Sequence, residues 1–96
     1  MATYLIAIID VKDVERYDTE YSSSVGPLIK KHGGRLLVAT DQVDVREGQW
    51  PAGRVIVVEF PDAAAAKGMY EDPDYQPLLK IRFESSEGIL GFAPGV

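Results

Sequence analysis

Short aliphatic runs and segments of helical periodicity alternate along the chain. Four runs rich in β-branched and aliphatic residues are too short for a typical helix and therefore predict strands. They span residues 3–10, 35–40, 54–60 and 88–93. Between the first two runs, apolar residues recur at steps of three or four, which predicts an amphipathic helix. These apolar positions are Val14, Tyr17, Tyr21, Val25 and Leu28. A second helix is predicted after the third run, through residues 63–70.

Capping and helix-breaking residues set the limits of the first predicted helix. Asp13 precedes this helix and can accept hydrogen bonds from the free amides of its first turn. Pro27 lacks the amide hydrogen that would bond to the Ser23 carbonyl, so a kink or a break is expected there. Gly33 or Gly34 then supplies the left-handed residue that ends many helices.

Proline and glycine also divide the second half of the chain. Residues 42–47 are expected to continue the second strand as an extended arm, and residues 48–53, which contain two Gly and one Pro, to form a turn. Asp62 is the predicted cap of the second helix. The Asp72-Pro73 pair is expected to restart a short helical segment, whose regularity Pro77 is expected to limit.

The predicted order of elements is strand, helix, strand, strand, helix, strand. This order is typical of the ferredoxin-like α+β fold, a four-stranded antiparallel sheet with two helices on one face. A chain of 96 residues has room for one small domain. Residues 1–96 are therefore predicted to form a single ferredoxin-like domain.

The predicted strands are apolar on both faces of the sheet. Two helices cover only one face, so the other face should carry polar residues. In the first strand, however, Ile6 and Ile8 lie on one face while Leu5 and Ile9 lie on the other. Leaving an apolar face in water forfeits several kcal/mol, at about 25 cal/mol per Å². We therefore predict a homodimer in which two sheets pack face to face in a barrel-like core. The alternative is that the arm or the C-terminal tail folds over this face.

Composition and charge narrow the classes of function. Ten basic and fifteen acidic residues give a net charge of −5 without a basic cluster, which argues against nucleic acid as a partner. No apolar run approaches the roughly 20 residues of a membrane helix. No basic segment precedes the first apolar run, so a cytoplasmic location is expected. With no cysteine, one histidine and no phosphate-binding or dinucleotide motif, neither a metal nor a cofactor is expected.

Four motifs occur in order along the chain: HGGRL at residues 32–36, EGQWP at 47–51, VVEFP at 57–61 and YEDPDYQ at 70–76. Together they resemble a family of small, mostly bacterial proteins known as the domain of unknown function 1330. The resemblance covers nearly the whole chain and implies membership of the dimeric α/β-barrel superfamily. It implies no established reaction or cofactor. Members of that superfamily include cofactor-independent monooxygenases and small isomerases, which hold ligands between the sheet and the helices.

Two residues are candidates for proton transfer. His32 is the only histidine, the residue type best suited to general base catalysis near neutral pH. The alternative for His32 is a solvated position at a helix end. Glu59 interrupts an apolar strand, where a carboxylate needs a partner. The alternative for Glu59 is a structural bridge to an arginine of a neighbouring strand.

Four further residues are candidates for ligand contact. Arg35 and Arg54 each begin a strand, where a guanidinium group could hold a carboxylate through two hydrogen bonds. Ion pairs with nearby acidic residues are the alternative for both. Trp50 and Tyr75 are candidates for the apolar walls of a pocket. Trp50 could instead pack against a partner subunit.

These observations favour a homodimeric domain that binds a small, partly aromatic or carboxylate-bearing metabolite between the sheet and the helices. One alternative is a cofactor-independent enzyme of the monooxygenase or isomerase kind, in which His32 or Glu59 moves a proton. Another is a structural or regulatory dimer without a ligand. The sequence leaves the three possibilities open.

Overall fold

The four predicted strands form one antiparallel sheet. The computed structural model describes all residues of the chain, Met1–Val96. The strands are β1 (Thr3–Val11), β2 (Arg35–Thr40), β3 (Arg54–Phe60) and β4 (Ser86–Pro94). Their order in the sheet is β2-β3-β1-β4, and each neighbouring pair is antiparallel. This is the predicted ferredoxin-like α+β arrangement.

The last strand is longer than the prediction of residues 88–93. β4 pairs with β1 along its whole length, from Thr3 opposite Pro94 to Val11 opposite Ser86. Glycine lowers intrinsic strand propensity, but the continuous ladder to β1 outweighs this local preference.

The edge strand β2 is irregular. Its register against β3 shifts between Leu36 and Val38, which leaves Leu37 as the extra residue of a β-bulge. Residues 41–53 then connect β2 to β3 without regular secondary structure. The predicted arm, residues 42–47, lies in this connection and forms no strand.

The residues between β1 and β2 form one helical segment whose geometry changes along its length. It comprises α1 (Val14–Arg16), a π-helical segment (Tyr17–Ser22) and α2 (Ser23–Lys31). The carboxylate of Asp13 accepts a hydrogen bond from the Arg16 amide at 3.1 Å, as predicted for a cap. Gly33 adopts a φ of 77° just after α2 and provides the left-handed end.

The predicted break at Pro27 does not occur, because α2 continues through this residue. The irregularity lies one turn earlier, in the π-helical segment. There the hydroxyl groups of Thr19 and Ser23 donate to the carbonyl oxygens four residues before them, on Glu15 and Thr19. Pro27 costs α2 the one hydrogen bond that its missing amide would make, and the helix continues on either side of it.

Two helices of similar length connect β3 to β4. They are α3 (Ala63–Glu71) and α4 (Gln76–Ser85). Asp62 caps α3 by accepting from the Ala65 amide at 2.8 Å, as predicted. The expectation that Pro77 disturbs the following segment is wrong, because Pro77 lies in the first turn of α4, where no amide donor is needed. None of the helices is long and apolar enough to cross a membrane.

The hydrophobic core lies on one side of the sheet, under the helices. The inward residues of β1 are Leu5, Ala7 and Ile9, and Val58 and Phe60 continue this surface on β3. Helical residues complete the core, namely Tyr17, Tyr21, Leu28, Ala66, Met69, Tyr75 and Leu79.

The opposite face of the sheet carries no helix and is apolar, as predicted. The central strand exposes Ile6, with 44% of its surface accessible, and the edge strand β4 exposes Ile89, with 65% accessible. Val55 and Val57 of β3 stand opposite Ile8 and Ile6 in the ladder and therefore share this face. We call this surface the helix-free face.

Gly88 allows the close contact between β4 and β1, so Gly88→Ala should destabilise the fold. A Cβ atom there would overlap the carbonyl oxygen of Ile8 and lie 2.9 Å from the Cα atom of Ile9. We expect the free energy of unfolding to fall by about 1–3 kcal/mol, the usual range for overpacking, as measured by urea denaturation. Gly26→Ala is the control, because a Cβ atom at Gly26 meets nothing within 4 Å. Equal stability of the two variants would contradict this account of the β1–β4 contact.

Candidate functional site

A cavity of about 560 Å³ lies between the covered face of the sheet and the helices. Fourteen of its 21 lining residues are hydrophobic. They include Leu5 and Ile56 from the sheet and Val25 and Ile29 from α2. A volume of this size is typical of sites for small molecules, which range over about 300–1,000 Å³.

The cavity opens between α2 and the edge strand β2. Its solvent-exposed lining residues lie mainly on these two elements, at Gly26 and Lys30 on one side and Leu36 and Ala39 on the other. The deeper lining residues, such as Met69, are buried. A small molecule would therefore enter at this edge of the sheet.

Three tyrosines form an aromatic wall of the cavity. Tyr17 and Tyr21 come from the π-helical segment, and their ring centroids are 5.0 Å apart. Tyr75 precedes α4 and is fully buried. The hydroxyl groups of Tyr21 and Tyr75 are 2.8 Å apart and share a hydrogen bond. The wall is thus apolar over its rings and carries one polar pair.

The hydroxyl groups of Tyr17 and Tyr21 stay protonated at neutral pH. Burial, followed by the contact with Tyr75, raises the pKa of Tyr21 far above its ordinary value. Burial also raises the pKa of Tyr17, although the nearby guanidinium groups of Arg54 and Arg82 oppose the rise. Tyr17 and Tyr21 therefore offer neutral hydroxyl groups as donors and acceptors.

Two arginines approach the aromatic wall from opposite layers. The guanidinium carbon of Arg54, on β3, lies 5.6 Å from the centroid of the Tyr17 ring, and Nη1 is 3.5 Å from Oδ1 of Asp18. Arg82, on α4, lines the cavity with only 5% of its surface accessible. Its Nε atom is buried and has no hydrogen-bond partner.

Sequence reasoning missed Arg82 although a signal for it exists. Tyr75, Leu79 and Arg82 follow one another at steps of four and three residues, which places them on one side of a helix. Tyr75 and Leu79 both belong to the core. An arginine on the same side of the helix as these two core residues is expected to be buried as well.

Of the residues predicted to contact a ligand, Arg54 and Tyr75 line the cavity, and so does Arg35. Arg35 differs from the other two because its Nη2 atom donates to Oε1 of Glu59 at 2.9 Å, and 71% of its side chain is exposed. Arg35 stands opposite Glu59 in the β2–β3 ladder, on the face away from Val58 and Phe60, so its guanidinium group lies on the helix-free face and only the rest of the residue borders the cavity. Trp50 does not line the cavity and lies in the connection between β2 and β3, 47% exposed.

Glu59, a predicted proton-transfer residue, lies outside the cavity. Its carboxylate accepts hydrogen bonds from Arg35 and, at 3.0 Å, from the Tyr4 hydroxyl group. The bond to Glu59 raises the pKa of Tyr4. Glu59 thus links three neighbouring strands, which matches the structural alternative named for it.

His32, the other predicted proton-transfer residue, also lies outside the cavity. It follows α2 directly, and its Nε2 atom is 2.7 Å from Oδ2 of Asp72. Because an ionised carboxylate only accepts, His32 is the donor. Lys31 donates to the same oxygen at 3.1 Å, and the Asp74 amide donates to Oδ1. His32 therefore joins the end of α2 to the turn before α4, and it is less solvated than its structural alternative supposes.

Metal ligands are not clustered in this fold. No group of three or more His, Asp or Glu side chains is arranged to hold a metal ion.

Sequence comparison assigns the chain to a family. The model of the domain of unknown function DUF1330 matches residues 2–96, and the chain therefore belongs to this family. A search of curated proteins found no match.

Solved structures with the same fold include a protein of unknown function, an oxygenase and a member of another protein family. A protein of unknown function from Rhodopseudomonas palustris superposes with a TM-score of 0.78 at 18% identity, covering 99% of this chain and 82% of that one. SnoaB, a cofactor-independent oxygenase from Streptomyces nogalater, gives 0.73 at 12% identity, with 99% and 93% covered. A Bacillus halodurans protein of the ethyl tert-butyl ether D family gives 0.69 at 18%, with both chains fully covered. At these identities the similarity shows a shared fold.

The contacts of Asp72 predict a loss of stability in acid. Hydrogen bonds from His32 first, then from the Asp74 amide and Lys31, hold the pKa of Asp72 well below its ordinary value of 3.8. The ionised carboxylate therefore stabilises the fold above that value, and this contribution disappears as the pH falls through it towards the lower folded pKa. Asp72→Asn should lower Tm at pH 7 and make Tm less dependent on pH below about pH 5, as measured by circular dichroism.

Asp74→Asn is the matched control for this prediction, because it keeps the backbone amide that donates to Asp72. Its Tm profile should follow that of the wild type. If Asp72→Asn shows the wild-type acid profile as well, the Asp72 contacts do not contribute to the stability of the fold.

Proposed function

We propose that this protein is a homodimeric domain that binds a small, largely apolar metabolite in the cavity between the sheet and the helices. The observation that carries this proposal is the cavity itself, apolar over most of its lining and open at one edge. Protein interiors are close-packed and contain few voids larger than a water molecule. A space of about 560 Å³ beside a well-packed core is therefore better explained by an occupant than by loose packing.

The lining suggests how an occupant is held. The rings of Tyr17, Tyr21 and Tyr75 provide flat apolar surface for an aromatic or alicyclic body. Arg54 provides a cation beside that surface. Small-molecule sites commonly combine an apolar lining with a few such polar groups, which fix the orientation of the ligand.

The helix-free face supports assembly into a homodimer. Its aliphatic side chains would lose water on contact with the same face of a second copy, at about 25 cal/mol per Å² buried. A two-fold contact of this kind is self-complementary and needs no other partner. In such a dimer the two cavities lie on the outer sides of the paired sheets and remain open.

A cofactor-independent monooxygenase or isomerase is the second candidate function, favoured by the shared fold with SnoaB. The cavity lining contains no His, Asp or Glu, and both predicted proton-transfer residues, His32 and Glu59, point elsewhere. Within the cavity, proton transfer would fall to the hydroxyl pair of Tyr21 and Tyr75. The missing general base makes binding the better supported function.

Placing a charge on the helix-free face should separate the subunits. Ile6 lies on the central strand β1, so Ile6→Lys would bury an ammonium group in the middle of the interface. At micromolar concentration, light scattering should give twice the chain mass of 10.5 kDa for the wild type and the single-chain mass for the variant. Gln49→Lys adds the same charge in the exposed connection between β2 and β3 and should remain dimeric. A wild type of single-chain mass would refute the dimer.

Closing the mouth of the cavity should prevent binding. Gly26 is at the mouth, where a Cβ atom meets no neighbour, so Gly26→Phe would place a ring across the opening. With 2-anthracenecarboxamide as a neutral fluorescent probe, we expect saturable binding to the wild type, at least about tenfold weaker binding to Gly26→Phe, and wild-type binding to Gly26→Ala. Equal binding to all three proteins would place the probe outside the cavity, and no binding to the wild type would favour a dimer without a ligand.

A further inference from the structure

Arg82 is the one arginine of the chain without a carboxylate partner. The other four each form an ion pair: Arg16 with Glu84, Arg35 with Glu59, Arg46 with Asp44, and Arg54 with Asp18. These four have exposed or partly exposed side chains, whereas Arg82 is buried. The most deeply buried arginine of the chain is therefore the one without a carboxylate partner.

The surroundings of Arg82 within the chain do not neutralise it. Its Nε atom has no hydrogen-bond partner. The only aromatic contact of its guanidinium carbon is with the neighbouring Phe83, 5.0 Å from the ring centroid. The hydroxyl groups of Tyr17 and Tyr21 face it from the π-helical segment, and its charge opposes the rise that burial causes in their pKa values. A buried ion in this state is strongly unfavourable unless an anion joins it.

The charged residues that line the cavity also favour an anionic ligand. Four of its lining residues are basic, Lys30, Arg35, Arg54 and Arg82, and none is acidic. The chain as a whole carries a net charge of −5. Arg35 and Arg54 are ion-paired with Glu59 and Asp18, so Lys30 and Arg82 are the lining cations left to attract a negative ligand.

A partner subunit on the helix-free face cannot supply the missing anion. Arg82 extends from α4, on the helix-covered side of the sheet, and the sheet stands between it and that face. The counter-ion must therefore come through the mouth of the cavity.

Building on the binding function proposed above, we propose that the ligand is an aromatic or alicyclic carboxylate and that Arg82 is the residue that binds its carboxylate group. The planar guanidinium group matches the two oxygens of a carboxylate, which it can hold with two parallel hydrogen bonds. The apolar lining and the aromatic wall accommodate the ring system of the ligand. Arg54 lies in the sheet, on the other side of the cavity from α4, and its charge is already partly compensated by the carboxylate of Asp18.

The hydroxyl pair of Tyr21 and Tyr75 completes the contact. Two hydroxyl groups carry two protons, and their mutual hydrogen bond uses one of them. The second proton is free to be donated to a carboxylate oxygen of the ligand. The site therefore presents one charged and one neutral donor to the anion.

The test compares two probes of the same shape, 2-anthracenecarboxylate and the neutral 2-anthracenecarboxamide, by fluorescence titration. We expect the wild type to prefer the carboxylate by about 10- to 100-fold, which corresponds to a hydrogen-bonded charge pair. Arg82→Gln should abolish this preference and leave binding of the amide unchanged. Arg82→Lys should keep part of it, since the charge remains while the two-pronged geometry is lost. Arg46→Gln removes the same charge at an exposed site and should keep the full preference.

The outcomes separate this inference from the binding function. If the wild type binds both probes equally, the cavity binds small molecules but the assignment of Arg82 is wrong. If the wild type binds neither, both proposals fail. A carboxylate preference that survives in Arg82→Gln also overturns the assignment. The comparison of probes on the wild type does not depend on the folding of any variant.

Discussion

The structure depends on one constraint: the four-stranded sheet is apolar on both faces. A single layer of helices covers one face, and it does so incompletely, because α2 stands away from β2 and leaves the cavity. The other face has no cover from its own chain. The two proposed interactions of the protein, with a ligand and with a second copy, thus arise from the same excess of apolar surface.

Buried polar groups give the cavity its chemical character. The hydroxyl pair of Tyr21 and Tyr75 is satisfied internally, whereas the buried Nε atom of Arg82 has no hydrogen-bond partner. A buried unpaired cation lowers the stability of the empty protein and raises its affinity for an anion by the same physical effect. If an anion binds Arg82 as proposed, fold stability and ligand binding are coupled through this one side chain.

The sequence pattern predicts the strands, the caps at Asp13 and Asp62 and the apolar character of both sheet faces, because these features depend on local periodicity and on hydrogen bonds between near neighbours. It offers a bridge to an arginine only as one alternative for Glu59, and it does not predict that His32 pairs with Asp72. The His32–Asp72 pair depends on how α2 and the turn before α4 are brought together. Glu59 pairs with Arg35 across neighbouring strands, on the face of the sheet away from the cavity. Local propensity likewise indicates neither the continuation of α2 through Pro27 nor the π-helical segment before it.

The bulge at Leu37 has a consequence for how copies of this protein meet. An open sheet edge presents a row of backbone donors and acceptors that can pair with a strand of another molecule and extend the sheet without limit. The shift of register in β2 interrupts that row on the edge beside the cavity. Growth by strand addition is thereby obstructed at this edge. The proposed contact between copies lies instead on the helix-free face, where a pair closes on itself.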